Sequence, residues 1–106
     1  MAIFAETSDD GRLVRISING RFDFSQFAGF RDAYTKEDAP FCRFEIDLSN
    51  ALYMDSSALG MLLVLRERAG GPKADITLIG FNDDIEQILN VSRFENLFKL
   101  KRPQAA

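Results

Sequence analysis

A chain of 106 residues, 46% apolar and 27% charged, has the size and composition of one globular domain, neither disordered nor membrane-like. Its net charge of −3 and pI near 4.9 argue against nucleic acid as the main partner, which needs a basic face. With no histidine, the chain lacks a histidine base, a histidine metal ligand and a phosphohistidine relay; with one cysteine, Cys42, it can form no internal disulfide.

The elements follow in chain order. The opening Met-Ala-Ile-Phe-Ala-Glu has no basic stretch and no long apolar run, so no signal peptide is expected. Ile3 to Glu6 reads as a short strand, and Asp10-Gly11 as the hairpin turn after it. In the next strand, Leu13 to Ile18, the buried parity is Val14, Ile16 and Ile18, and Asn19-Gly20 ends it. Arg21 to Ser25 leads into a helix from Ser25 to Lys36, capped by Asp23 or Ser25. Phe27, Phe30, Ala33 and Tyr34 recur there at helical spacing. Lys36-Glu37-Asp38-Ala39-Pro40 is a polar exit, since Pro40 cannot continue a helix. Cys42, flanked by Phe41 and Phe44, is expected to be buried.

A third strand is expected over Arg43 to Leu48, then a loop, then a helix that starts at Ser56 or Ser57 and runs to about Ala69. Eight residues without charge, Ala58 to Leu65, make that helix apolar nearly all round its first two turns. Gly70-Gly71-Pro72 stops it. Asp75 to Ile79 is a strand ended by Gly80. Asn82 or Asp83 caps a third helix whose inner face carries Ile85, Ile88, Leu89 and Val91. Leu97 to Leu100 is a last short strand, and Lys101 to Ala106 a loose tail after a domain of residues 1–100. The order β-β-α-β-α-β-α-β specifies an α/β domain. Its expected core is a single mixed sheet of four to five strands with three helices mainly on one face.

Little catalytic chemistry is on offer. Ser56 and Ser57 have no histidine to activate them. No glycine-rich phosphate loop is present, and Gly70-Gly71 falls at a helix exit. Asp9-Asp10 belongs to a turn, Asp83-Asp84 suits a helix N-terminus, and Lys99, Lys101 and Arg102 suit a solvated terminus. No enzyme activity, cofactor or metal site is expected. No apolar run approaches the ~20 residues that would span a bilayer, so membrane insertion is not expected and the cytoplasm is the default location. What remains is Asp55-Ser56-Ser57, between a strand end and a helix start. Capping alone can select these residues. A phosphate on Ser56 is the sharper alternative. It would meet the positive end of the helix while adding about −1.5 to −2 charge to a surface loop.

Met54-Asp55-Ser56-Ser57-Ala58-Leu59-Gly60 resembles the Met-Asp-Ser-Ser/Thr-Gly-Leu-Gly signature of STAS domains, and more narrowly of bacterial anti-sigma factor antagonists. Gly20-Arg21-Phe22-Asp23 is similar to the family's Gly-Glu-Leu-Asp. Ile46-Asp47-Leu48-Ser49 and the segment from Ile88 to Phe98 also match, so the likeness runs from about Ile3 to Leu100. The resemblance implies the STAS fold and a phosphorylation cycle at Ser56. Unphosphorylated, the domain binds an anti-sigma factor with a histidine-kinase-like ATPase fold. That serine kinase phosphorylates it with ATP and magnesium and lets go, and a PP2C-type phosphatase resets it. Asp23 and Asp55 would flank the serine, and Ser57, Ala58, Met61 and Leu62 would belong to the docking surface. Ala58 stands where the family has glycine, which costs nothing if the position is already helical. A fourth helix usual in the family has no counterpart in the six-residue tail, which leaves room for a second copy as a weak homodimer. Two other readings compete: a non-phosphorylated scaffold subunit of a lipid-transport ABC complex, and a nucleotide-binding domain.

Overall fold

The computed structural model describes residues 2–35 and 42–102. Five strands form one sheet in the order β1 (Ile3–Thr7), β2 (Leu13–Ile18), β4 (Arg43–Asp47), β6 (Asp75–Ile79) and β7 (Lys99–Lys101). Only the hairpin β1·β2 is antiparallel; the other three pairings are parallel. From β2 onward each new parallel strand is added on the same side of the last. Right-handed crossovers then place every connecting helix on one face. Those helices are α1 (Phe27–Thr35), α2 (Ser56–Arg68) and α3 (Asp83–Val91). The mixed sheet and three helices expected from the sequence are present.

Alternation decides what each strand buries. Val14, Ile16 and Ile18, Phe44 and Ile46, and Ile76 and Leu78 all face the helices with at most 2% exposure. They meet Phe30 and Tyr34 of α1, Leu62 and Leu65 of α2, and Ile85 and Leu89 of α3 in one core. The opposite face carries charge. Arg15 pairs with Glu45 at 2.7 Å, and Asp75 takes both Lys99 at 3.1 Å and Arg43 at 3.5 Å. Such exposed pairs contribute at most about 1 kcal/mol each. Cys42 is buried as expected, with its Sγ 3.5 Å from the Gly11 carbonyl oxygen.

Five expectations need correction. The segment read as loop before Ser56 contains a strand, β5 (Ala51–Met54), and the chain after Ile18 does not simply end its strand. Gly20, at φ 81°, turns it into β3 (Gly20–Phe22), which pairs in parallel with β5 as a separate ribbon. The first helix opens with a 3-10 turn, Phe24–Gln26, before α1 begins. Its buried stripe shrinks to Phe30 and Tyr34, because Phe27 is 39% exposed and Ala33 only half-buried. Val91, placed on the inner face of α3, is 78% exposed in that helix's last turn. Lys101, assigned to the tail, is the last residue of β7. The exit at Lys36-Glu37-Asp38-Ala39-Pro40, the flanking Phe41 and tail residues 103–106 lie outside the described residues.

Candidate functional site

The β3·β5 ribbon aims the start of α2. Arg21 lies opposite Tyr53 and Phe22 opposite Met54. The Gly20 N–H donates to the Asn50 carbonyl at 2.9 Å, and the Asp55 N–H to the Phe22 carbonyl at 3.4 Å. Phe22, Ala51 and Met54 are buried to 2% or less, so both strands are nailed into the core immediately before the loop.

Asp55 is the N-cap. Its backbone is extended, and its carboxylate accepts from the Ala58 N–H at 3.1 Å. Ser56 is therefore the first helical residue rather than the cap. It is exposed, and no hydrogen bond among the described residues engages its hydroxyl. Ser57 is half-buried beside it. Ala58 lies within the helix with a negative φ, since Arg93 is the only non-glycine residue of positive φ among those described. Alanine in place of glycine thus carries no left-handed strain here and favours the helix. Asp55→Ala is expected to cost about 1 kcal/mol and lower the melting temperature by about 4–8 °C, while Asp55→Ser keeps most of the cap. Thermal melts of the two variants check this; equal melting temperatures would refute the capping role.

Asp23 reaches the same place from β3. Its carboxylate caps the 3-10 turn, accepting from the Ser25 N–H at 3.0 Å and from the Ser25 hydroxyl. It also accepts from Arg21 Nε at 3.3 Å. The Ser25 hydroxyl, with the Ser25 N–H and Arg21, holds its pKa below the usual 3.8. The cap it provides is thus present above pH 3.8 and is lost only as pH falls through the lowered value. The Arg21 guanidinium stands 4.8 Å over the Tyr53 ring.

The docking surface differs from the expectation. Ala58 and Leu62 have no exposed surface and Met61 only 4%, so none of the three forms the outer face of α2. The residues that share Ser56's side of the helix are Gly60, Leu63, Val64 and Glu67, at spacings of four, seven, eight and eleven. Leu63 and Val64 are 39% and 55% exposed. Val64 and Phe27 line a narrow groove between α2 and α1 with Arg31 at its rim. Phe27 stacks on Phe24 at 5.7 Å, and Phe24 is 69% exposed. Leu52, 75% exposed, and Tyr53, 44%, come from the ribbon. Six of the eight large apolar side chains exposed among the described residues therefore belong to the elements that meet at Ser56. A concentration of this kind marks an interaction surface. The sequence reading missed Phe24, Leu52, Tyr53, Leu63 and Val64; the one available signal was Phe24 and Phe27, three apart across a capped helix start.

Among the described residues no cluster of acidic, cysteine or histidine side chains is arranged to hold a metal, and no helix is long and apolar enough to cross a membrane.

Comparison with known proteins points one way. The family described as "Mlab, STAS domain" matches residues 5–100. A STAS-domain containing protein of Pseudomonas aeruginosa is 50% identical over 100 residues, which is 94% of this chain and 99% of that protein. A Thermotoga maritima protein described as an anti-sigma factor antagonist superposes with a TM-score of 0.79 at 17% identity, over 93% of this chain and 85% of that one. SpoIIAA, an anti-sigma factor antagonist, superposes in its unphosphorylated form with a TM-score of 0.70 at 16% identity, over 99% of this chain and 90% of its own. Its phosphorylated form, from Bacillus, gives a TM-score of 0.65 at 15% identity, over 93% and 90%. At these identities the structural likenesses establish the fold.

Proposed function

Because this chain belongs to the STAS-domain family, we propose that it is an anti-sigma factor antagonist that switches partners through phosphorylation of Ser56. In its unphosphorylated state it docks on an anti-sigma factor that is also its kinase. The partner is a histidine-kinase-like ATPase that uses ATP and magnesium. The γ-phosphoryl group passes to the Ser56 oxygen, the hydroxyl proton leaves, the bond to the bridging oxygen breaks, and ADP departs. A PP2C-type phosphatase hydrolyses the phosphoserine and restores the binding state.

The observation that carries this reading is an exposed, uncapped serine at the first position of a helix, set among six exposed apolar side chains. The helix N-terminus accepts an anion without rearrangement. The partner, pressed on the apolar surface, would have to bury that charge unpaired, at a cost of several kcal/mol. The docking surface in this reading is Phe24, Phe27, Leu52, Tyr53, Leu63 and Val64, with Asp23, Asp55 and Ser57 at the serine. Ala58, Met61 and Leu62 support it from beneath.

Mapping modifications on the protein purified from its native cells tests the proposal. Phosphate on Ser56, removable by a PP2C-type phosphatase, is the expected result; a chain never modified in any growth condition overturns it. That second result would favour a scaffold subunit of a lipid-transport ABC complex, which needs the same apolar surface and leaves Ser56 bare. Ser56→Asp is expected to weaken partner binding about 30–150-fold, equivalent to about 2–3 kcal/mol, with the melting temperature within about 2 °C of the parent. Titration calorimetry and thermal melts read both quantities. A large fall in melting temperature would contradict the placement of the charge at a tolerant helix end.

A further inference from the structure

The electrostatics at the serine pose a problem that one side chain can solve. Asp23 and Asp55 both bring carboxylates to the start of α2, so a phosphate on Ser56 would enter a site already negative. Arg21 is the cation the ribbon places there. Its register opposite Tyr53, with the Asp55 N–H bonded to the Phe22 carbonyl, sets its side chain against the strand that ends at the serine. Nothing buries it: the side chain is 70% exposed. Its hold on Asp23 is a single long bond of 3.3 Å, and the other oxygen of that carboxylate is occupied by Ser25. The guanidinium is thus retained by one weak carboxylate contact and by the Tyr53 ring.

We propose that Arg21 is the intramolecular receptor for a phosphate on Ser56, a step that rests on the phosphorylation reading above. A phosphate carries more charge than Asp23 and offers several oxygens in the geometry that a guanidinium fork matches. Arg21 moves from Asp23 and Tyr53 to the phosphate. The move has two effects beyond the added charge. The Tyr53 ring loses its cationic cover, and Asp23 loses its counter-charge while still capping the turn at Ser25. The phosphorylated surface therefore differs from the unphosphorylated one at three side chains, with the backbone fixed by Phe22 and Met54. Glutamate, found at this position in the motif the chain resembles, could not act in this way.

The test installs phosphoserine at position 56 during translation, so that no kinase is needed, and follows the phosphate by phosphorus NMR as a function of pH. A free phosphoserine has its second ionisation near pH 6. With Arg21 present, the midpoint is expected to lie at least about 0.5 pH unit below that of Arg21→Gln, with the gap closing as salt is raised. Arg31→Gln, which removes the guanidinium placed 5.4 Å over Phe27, is the control and should leave the midpoint unmoved. Equal midpoints with and without Arg21, in variants whose circular dichroism matches the parent, overturn the proposal. So does an equal displacement from Arg31→Gln, which would reveal only the general field. Because the phosphate is built in, failure here concerns Arg21 alone, whereas an unmodified Ser56 in native cells concerns the phosphorylation reading.

Discussion

Gly80→Ala is expected to cost about 2–5 kcal/mol of folding stability, a large part of the roughly 5–15 kcal/mol a domain of this kind possesses. Two independent costs combine. Gly80 has φ 75°, a left-handed conformation that an L-residue adopts at about 1–2 kcal/mol. A β-carbon there would also lie 2.2 Å from the Ser49 hydroxyl oxygen and 3.2 Å from both the Ser49 Cα and Cβ. Rotating the hydroxyl away relieves the first overlap but breaks its 2.6 Å bond to Asp47, and the Cα remains in the way. The crowding follows from how the sheet ends. The Leu48 N–H donates to the Ile79 carbonyl at 2.8 Å, and the Gly80 N–H to the Lys101 carbonyl at 3.2 Å, so three chain segments converge where the strands stop. Urea unfolding of Gly80→Ala, Ser49→Gly and the double variant reads the two costs separately. The double variant should recover the steric part and retain the conformational part. A single Gly80→Ala variant as stable as the parent would refute the close approach.

Leu62→Ala and Val64→Ala, two residues apart on one helix, are expected to fail in opposite ways. Leu62 has no exposed surface, so truncation leaves a cavity and costs about 2–5 kcal/mol. Val64 is 55% exposed; its truncation should change stability by no more than about 0.5 kcal/mol while weakening partner binding. Denaturant midpoints and binding isotherms on the same preparations distinguish the two. If Leu62→Ala proved stable but failed to bind, the outer face of α2 would have to be drawn again.

That pair also marks where the sequence stops being readable. Strands whose apolar residues alternate could be placed and phased: Val14, Ile16 and Ile18 are all inward, as are Phe44 and Ile46, and Ile76 and Leu78. Polar residues at helix starts gave the positions of α2 and α3, with Asn82 accepting from the Ile85 N–H at 2.8 Å. Phase was lost in α2 because Leu and Val occupy nearly every direction of its first turns; periodicity cannot single out one face when all faces are apolar. Met61 and Leu62 were therefore assigned to a surface that belongs to Leu63 and Val64. The ribbon was hidden for a different reason. β3 has three residues, and β5 follows a buried–exposed–exposed–buried pattern rather than an alternation. Such short strands exist because Phe22 and Met54 are anchored in the core, a tertiary fact with no local signature. The serine itself was legible, since its neighbours are a cap and a helix start. The aromatic and aliphatic surroundings that make it a candidate switch were not.

The ribbon and the first turn of α2 have a consequence for how any enzyme could find Ser56. Met54, two residues before it, and Ala58, two residues after it, have at most 1% exposure, and the intervening Asp55 is tied at its N–H to β3 and at its carboxylate to the helix. The accessible backbone is an arch of three residues. A catalytic cleft that reads an extended peptide would need to draw out several residues on either side, which here means pulling Met54 from the core and unwinding the helix. The serine is reachable only as part of a folded epitope. An enzyme acting on it must be shaped to a domain surface, and a synthetic peptide spanning residues 50–62 should be a poor substitute for the intact protein.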